Sequence, residues 1–144
     1  MLVIPLPVRE DIVTHARAGY PEEVCGLLVG KTHGLALTDI REVITAVRAR
    51  NIESVRRNDR YQIHPDDMAA GFDLAHKQGL DVVGFYHSHP DHPARASQTD
   101  LENSSPWGGY SYPIVSIVKG QVADFRSWYR QDDAWVEEKI EGGK

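Results

Sequence analysis

Between Phe85 and Asp100 the chain reads FYHSHPDHPARASQTD, and within it His87, His89, Ser97 and Asp100 follow the spacing H-x-H-x7-S-x2-D. Two imidazoles and a carboxylate are the donor types, in the number, that a catalytic zinc takes while a fourth position stays open to water. The chemistry such a set performs is activation of that water at neutral pH. A bare H-x-H pair is common and usually only solvated. The serine and aspartate at fixed distance downstream single this pair out as a candidate active site.

Local elements have to position these residues. Asp81 to Tyr86, DVVGFY, is a short apolar run between Gly79 and the turn signals Pro90 and Pro93, and it predicts a buried strand ending near His87. Alternate residues of a strand point the same way, so His87 and His89 face one ion from the strand's C-terminal edge while Ser88 points aside. A loop rich in Pro, Asp and Ala then leads to Ser97, where S-x-x-D reads as the first turn of a short helix from which Asp100 can swing back to the same ion.

At 144 residues the chain fits one domain, 1–144, able to bury about two-thirds of its unfolded surface without staples. Hydrophobic residues make up 41% and charged ones 26%, and no apolar stretch approaches the ~20 residues of a membrane span, so a soluble globular protein with no membrane partner is expected. MLVIPLPVRED at the start has too short an apolar run for a secretory signal and no basic leader, which makes the cytoplasm the expected compartment. The single cysteine, Cys25, agrees with a reducing compartment and excludes a multi-cysteine zinc site, leaving histidine and carboxylate as donors. A net charge of −5 argues against nucleic acid as the main partner. The basic residues are nonetheless clustered. Arg48, Arg50, Arg56, Arg57 and Arg60 fall in the polar stretch VRARNIESVRRNDR, which is either a solvated loop or a docking patch for an acidic protein or a terminal carboxylate.

Along the rest of the chain, Leu2 to Ile4 is a candidate edge strand stopped by Pro5 and Pro7. Ile12, Val13 and Ala16 recur at helical spacing within Val8 to Ala18, and Gly19 with Pro21 closes that helix. Val24 to Val29 predicts a strand buried on both faces, and Leu35 to Val47 one or two further strands. Pro65, Asp66 and Asp67 open a second helix running to about Gln78, with Met68, Phe72 and Ala75 as its buried face. Thr99 to Ser104 suits a short helix and Trp107 to Tyr112 an aromatic loop. Strands over Pro113 to Val118, Val122 to Tyr129 and Ala134 to Ile140 complete a mixed sheet flanked by two longer helices.

Together these residues resemble the JAMM family of zinc isopeptidases, the MPN-plus domains, whose motif is an upstream Glu, then H-S/T-H-P, then x7-S-x2-D. His87-Ser88-His89-Pro90 with Ser97 and Asp100 matches it in register. The resemblance extends to the helix before PEEVCGLLVG, the E-x-x-G-L pattern, the passage from Asn51 to Pro65 and the terminal strands, nearly the whole chain. It implies an α/β fold of cytidine-deaminase-like α/β/α sandwich type, with a central mixed β-sheet and flanking helices. Two carboxylates compete for the upstream role. The family's glutamate precedes by three residues the glycine of the Gly-Leu run, here Gly26, which assigns Glu23 and leaves Glu22 as a solvated neighbour.

The same resemblance implies the roles. His87, His89 and Asp100 hold Zn2+, Glu23 is the general base that passes a proton to the leaving amine, and Ser97 donates to the tetrahedral oxyanion. Ser97 also suits an N-cap of the short helix. The bond cut is an amide after the C-terminal tail of a ubiquitin-like protein. Small single-domain bacterial members resemble hydrolases of ubiquitin-like sulfur-carrier proteins, which release an amino acid such as cysteine from the carrier's Gly-Gly end. The expected partner is therefore a sulfur carrier ending in Gly-Gly, its tail entering extended beside a sheet edge. This chain's own ending, Glu141-Gly142-Gly143-Lys144, reads as a solvated tail.

Competing readings fare less well on the residues. Cys25, between Val24 and Gly26-Leu27-Leu28, reads as a buried small hydrophobe rather than a nucleophile. His92 is a rival ligand three residues past His89, but the motif register favours Asp100. His15, His33, His64 and His76 carry no assigned role. A zinc nucleoside deaminase needs a P-C-x-x-C pair that one cysteine cannot provide, and H-E-x-x-H is absent. A metal-free MPN-type scaffold that binds a carrier without catalysis is the alternative of another class, against which the complete donor set argues.

Overall fold

The structure, a computed structural model, describes residues 1–34, 39–105 and 108–142. The expectations for Leu35 to Thr38, for Trp107 and for the Gly143-Lys144 end of the tail lie outside the described residues. The elements are β1 (Leu2–Val3), α1 (Leu6–Gly19), β2 (Cys25–His33), β3 (Ile40–Ala49), α2 (Pro65–Lys77), β4 (Asp81–Pro90), α3 (Gln98–Asn103), β5 (Ser111–Val118), β6 (Gln121–Gln131), β7 (Ala134–Glu138) and β8 (Ile140–Glu141). The eight strands form one sheet in the order β7-β6-β5-β4-β2-β3-β1-β8. It is mixed, as expected: β4 runs parallel to β5, and β2 antiparallel to both β3 and β4.

Two strand expectations need correction. The segment Ala134 to Ile140 is not one strand: β7 and β8 are separated by Lys139 alone yet lie at opposite ends of the sheet order. The sheet therefore curls until one stretch of chain serves both edges. Leu2 N donates to Lys139 O at 2.9 Å and Ile4 N to Glu141 O at 2.8 Å. In consequence β1 is not an edge strand, because β8 covers it. Ser111 and Tyr112, expected in a loop, already belong to β5.

Helices lie on both faces, the sandwich that the resemblance implies. On one face Ile12 and Ala16 of α1 pack into a cluster with Leu28, Val43, Tyr86, Val115 and Ile117. On the other, Ala75 of α2 packs with Leu27, Val29, Phe85 and Tyr112. Phe72, expected to be buried, is 42% exposed. Gly71 takes the inward place instead, and α2 approaches β2 so closely there that a Cβ would stand 2.6 Å from Leu27 Cδ2. Two histidines without an assigned role prove to have structural ones. His15 Nδ1 lies 2.7 Å from Tyr86 Oη, and His64 caps α2 by accepting from Asp66 N at 3.0 Å. Among the described residues no helix is long and apolar enough to cross a membrane.

Candidate active site

The strand carrying the two histidines is longer than its apolar run suggests. β4 continues through Pro90, so His87 and His89 are both strand residues. Its neighbour β2 is antiparallel, with Cys25 opposite His87. One step further, Ser88 N donates to Val24 O at 3.1 Å and Ser88 Oγ accepts from Val24 N at 2.9 Å. Ser88 thus points away from the histidines and ties down the residue next to Glu23. The same register brings Glu23 opposite His89. Gly26 keeps the ladder tight: a Cβ there would fall 2.3 Å from the ring of Tyr86 and 2.5 Å from Val47 O.

Asp100, the third candidate donor, lies on α3. Ser97 Oγ accepts from Asp100 N at 3.0 Å while Asp100 Oδ2 accepts from Ser97 N at 2.9 Å, a reciprocal cap that holds the carboxylate over the first turn. From there Asp100 Oδ1 lies 3.2 Å from His87 Nε2 and Oδ2 lies 3.2 Å from His89 Nε2. The two Nε2 atoms are 3.1 Å apart. His89 Nδ1 sits 2.8 Å from Pro93 O, which fixes it as the protonated nitrogen and turns the Nε2 lone pair inward. Tyr61 stacks on His87 with ring centroids 4.4 Å apart. Glu23, His87 and His89 also offer donor atoms within 4.8 Å of one another. All five residues singled out from the sequence therefore meet in one place, and His92 is exposed in the adjoining loop.

Their electrostatics differ sharply. Burial pushes the Glu23 carboxyl up to about 8, Asp100 adding to the rise and His89 opposing it. Burial would raise Asp100 too, but the imidazoles of His87 and His89 and the Ser97 amide hold it well below the usual carboxylate range. Burial lowers His87, against the pull of Asp100. Among the described residues Glu23 Oε1 and His87 Nδ1 are buried without a hydrogen-bond partner. A buried acceptor left unpaired costs about 1–3 kcal/mol, so Glu23 Oε1 calls for a proton or a ligand.

Sequence reasoning missed the side chains that hold this loop. Trp128 Nε1 donates to Ala94 O at 3.0 Å, Trp135 Nε1 to Ser97 O at 3.0 Å, and Arg130 Nη1 to Leu101 O at 3.1 Å. These donors come from the β6–β7 hairpin, 30 or so residues away in the chain, and nothing local marks them. Trp135→Phe keeps the ring against Tyr112 and removes the donor. It is expected to cost about 1 kcal/mol in denaturant unfolding and to speed hydrogen exchange at the Ser97 and Asp100 amides. Exchange as slow as in the parent would show that the loop does not depend on this bond.

The arginine stretch is mostly paired to its own neighbours. Arg48 meets Asp11 at 2.8 Å, Arg50 meets Asp67 at 2.9 Å, Arg56 pairs with Asp59, and Arg57 Nε donates to Glu53 O. Asn51 anchors the loop to the site: its Nδ2 donates to Glu23 O and Arg60 O, both at 3.1 Å.

Residues 5–131 match the family model described as prokaryotic homologs of the JAB domain. A desampylase of Haloferax volcanii is 36% identical over 119 residues, 80% of this chain and 80% of its own length. The deubiquitinase BRCC36 of Xenopus laevis is 32% identical over 112 residues, which is 74% of this chain but 41% of that protein. The solution structure of a Desulfitobacterium hafniense protein superposes with a TM-score of 0.85 at 27% identity, covering 100% of this chain and 94% of that one.

Proposed function

This chain belongs to the prokaryotic JAB-domain family, and on that premise we propose that it is a zinc-dependent hydrolase cutting the amide bond after the C-terminal Gly-Gly of a ubiquitin-like protein. The relatives named desampylase and deubiquitinase support hydrolysis of such conjugates. The observation that carries the reading is the convergence of donors: His87 Nε2 and His89 Nε2 stand 3.1 Å apart, with Asp100 Oδ1 3.2 Å from the first and Oδ2 3.2 Å from the second. Donors ~2.0–2.1 Å from a tetrahedral zinc stand ~3.3 Å from one another, so the residues present fit the ion. We take His87, His89 and Asp100 as the ligands, Glu23 as general base and Ser97 as oxyanion donor.

When bound, zinc supplies Lewis acidity, polarising the carbonyl and lowering the pKa of a water toward 7. Glu23 in its ionised form, buried beside His89 with Oε1 free, takes the proton as the water oxygen bonds to the carbonyl carbon. As the C–N bond breaks, Glu23 delivers that proton to the departing amine. Ser97 Oγ accepts the Asp100 amide, which leaves its own hydroxyl proton to donate to the developing oxyanion. Capping and catalysis thus use different parts of one hydroxyl.

Within this reading residues 1–144 act as one domain in the cytoplasm on a sulfur-carrier type of ubiquitin-like protein, releasing an amino acid such as cysteine. Zinc-loaded protein is expected to trim a ubiquitin-like carrier extended by one residue after Gly-Gly. A chelator should stop the reaction and a thiol alkylator should not, since the Cys25 thiol is buried and pushed up to about 12. Fully loaded protein that cleaves no such carrier would favour the silent scaffold.

A further inference from the structure

Three clefts border the site, and among the described residues only one of them presents arginines whose side chains lack partners. The largest, about 670 Å³, is lined by aromatic and polar side chains including Tyr61, Phe85, Tyr110 and Tyr112, with no Lys, Arg or His among them. The smallest, about 420 Å³, contains Glu23, His89 and Ser97 and is rimmed by Arg56, Asp59, Arg60, His92 and Arg95. Within that rim Arg56 and Asp59 neutralise each other. Arg60 and Arg95 are exposed, and among the described residues neither side chain has a hydrogen-bond or ion-pair partner. They come from separate segments, the loop before α2 and the loop after β4, and converge on one opening.

Which half of the substrate enters each cleft follows from Glu23. A base that hands its proton to the departing amine must face that amine. Glu23 lines the smallest cleft and a third of about 460 Å³, but only the smallest also holds His89 and Ser97, and Arg50 and Arg57 of the third are already paired. The leaving group therefore sits under the two guanidiniums. We propose that Arg60 and Arg95 form a carboxylate pocket on the leaving-group side, so that the preferred substrate is a Gly-Gly tail extended by a single amino acid with a free α-carboxylate. Guanidinium forks bind carboxylates in bidentate fashion, which suits an anion one residue beyond the scissile bond. A lysine side-chain amine from a protein acceptor brings no anion to that position. The proposal rests on the hydrolase reading above, in which a single amino acid departs, and adds the two residues that hold its carboxylate.

Three probes test it: a ubiquitin-like protein ending in Gly-Gly-Ala with a free acid, the same protein with a C-terminal carboxamide, and the Gly-Gly tail joined to a lysine side chain of a peptide. The zinc-loaded parent is expected to show a KM at least about 10-fold lower for the acid than for the amide, with the isopeptide no better than the amide. Arg60→Gln with Arg95→Gln should bring the acid to the amide's KM while kcat on the acid falls little, and Arg95→Lys should restore part of the difference. Binding of acid and amide probes to the Glu23→Gln variant should give the same ratio of Kd, independent of turnover. Equal KM for acid and amide in the parent, a ratio that survives the double substitution, or faster cleavage of the isopeptide would overturn the pocket while leaving the hydrolase reading intact. If none of the probes is cleaved, the hydrolase reading fails, and an equal Kd for acid and amide would remove the pocket as well.

Discussion

Asp100→Asn is expected to empty the site of metal while leaving the fold in place. The amide oxygen can still accept from Ser97 N, as Asp100 Oδ2 does at 2.9 Å, so the cap on α3 survives. What disappears is the carboxylate charge, whose two oxygens stand 3.2 Å from one imidazole nitrogen each. Substitution of residues that merely orient metal ligands costs about 10–100-fold in affinity, so loss of a ligand should cost more than about 100-fold. His87→Ala should do the same. The parent should purify with about one zinc per chain, given three protein donors and an open fourth position. His92→Ala should keep that zinc, because His92 is exposed and outside the donor cluster. Metal analysis with circular dichroism decides the matter: full occupancy in Asp100→Asn and His87→Ala would undo the ligand assignment, and loss in His92→Ala would move the third ligand into the loop.

The site was legible because its spacing encodes strand geometry. Two histidines two apart on a strand share a face, and the S-x-x-D pattern specifies a reciprocal cap that can form only with Asp100 beside Ser97. Glu23 was harder, since an isolated glutamate before a strand carries no signal. What fixes its position is register: Cys25 opposite His87 makes residue 23 the neighbour of residue 89, and a ladder of this kind is invisible until both strands are paired. Long-range donors were wholly out of reach. Trp128, Arg130 and Trp135 reach the segment from Ala94 to Leu101 only because β6 and β7 fold back beside β5.

The fold shows the same division. Apolar runs located β2, β4 and β5 and the helical periodicities located α1 and α2, each a local property. Ala134 to Ile140 contains no Gly, Pro, Asn, Asp or Ser to mark a break, and nothing local says that Lys139 separates two opposite edges of the sheet. Phe72 was misassigned because apolarity outweighed proximity: α2 lies so near Leu27 that only a glycine fits at the contact, and the bulkier neighbour turns outward. Arg60 was visible in the sequence only as one of five arginines. Pairing of the other four with neighbours left it distinct.

Glu23→Gln is expected to retain zinc and stability yet lose about 10²- to 10⁴-fold in turnover, the usual worth of a positioned general base. The two carboxylates of the site differ in what they already hold. Asp100 has both oxygens committed to His87, His89 and Ser97, and the imidazoles hold it ionised. Glu23 is the opposite case, buried at 5% exposure, with Oε1 unpartnered and its carboxyl raised by burial. A glutamine fills the same space, so its backbone anchors to Arg57 and Asn51 persist, but it cannot accept and return a proton. Glu22, one residue earlier, is exposed, and Glu22→Gln should change turnover little. Comparing kcat of the two variants at equal zinc content separates the roles: equal losses, or the larger loss at Glu22, would take the base away from Glu23 and break the link between the β2–β4 register and the chemistry.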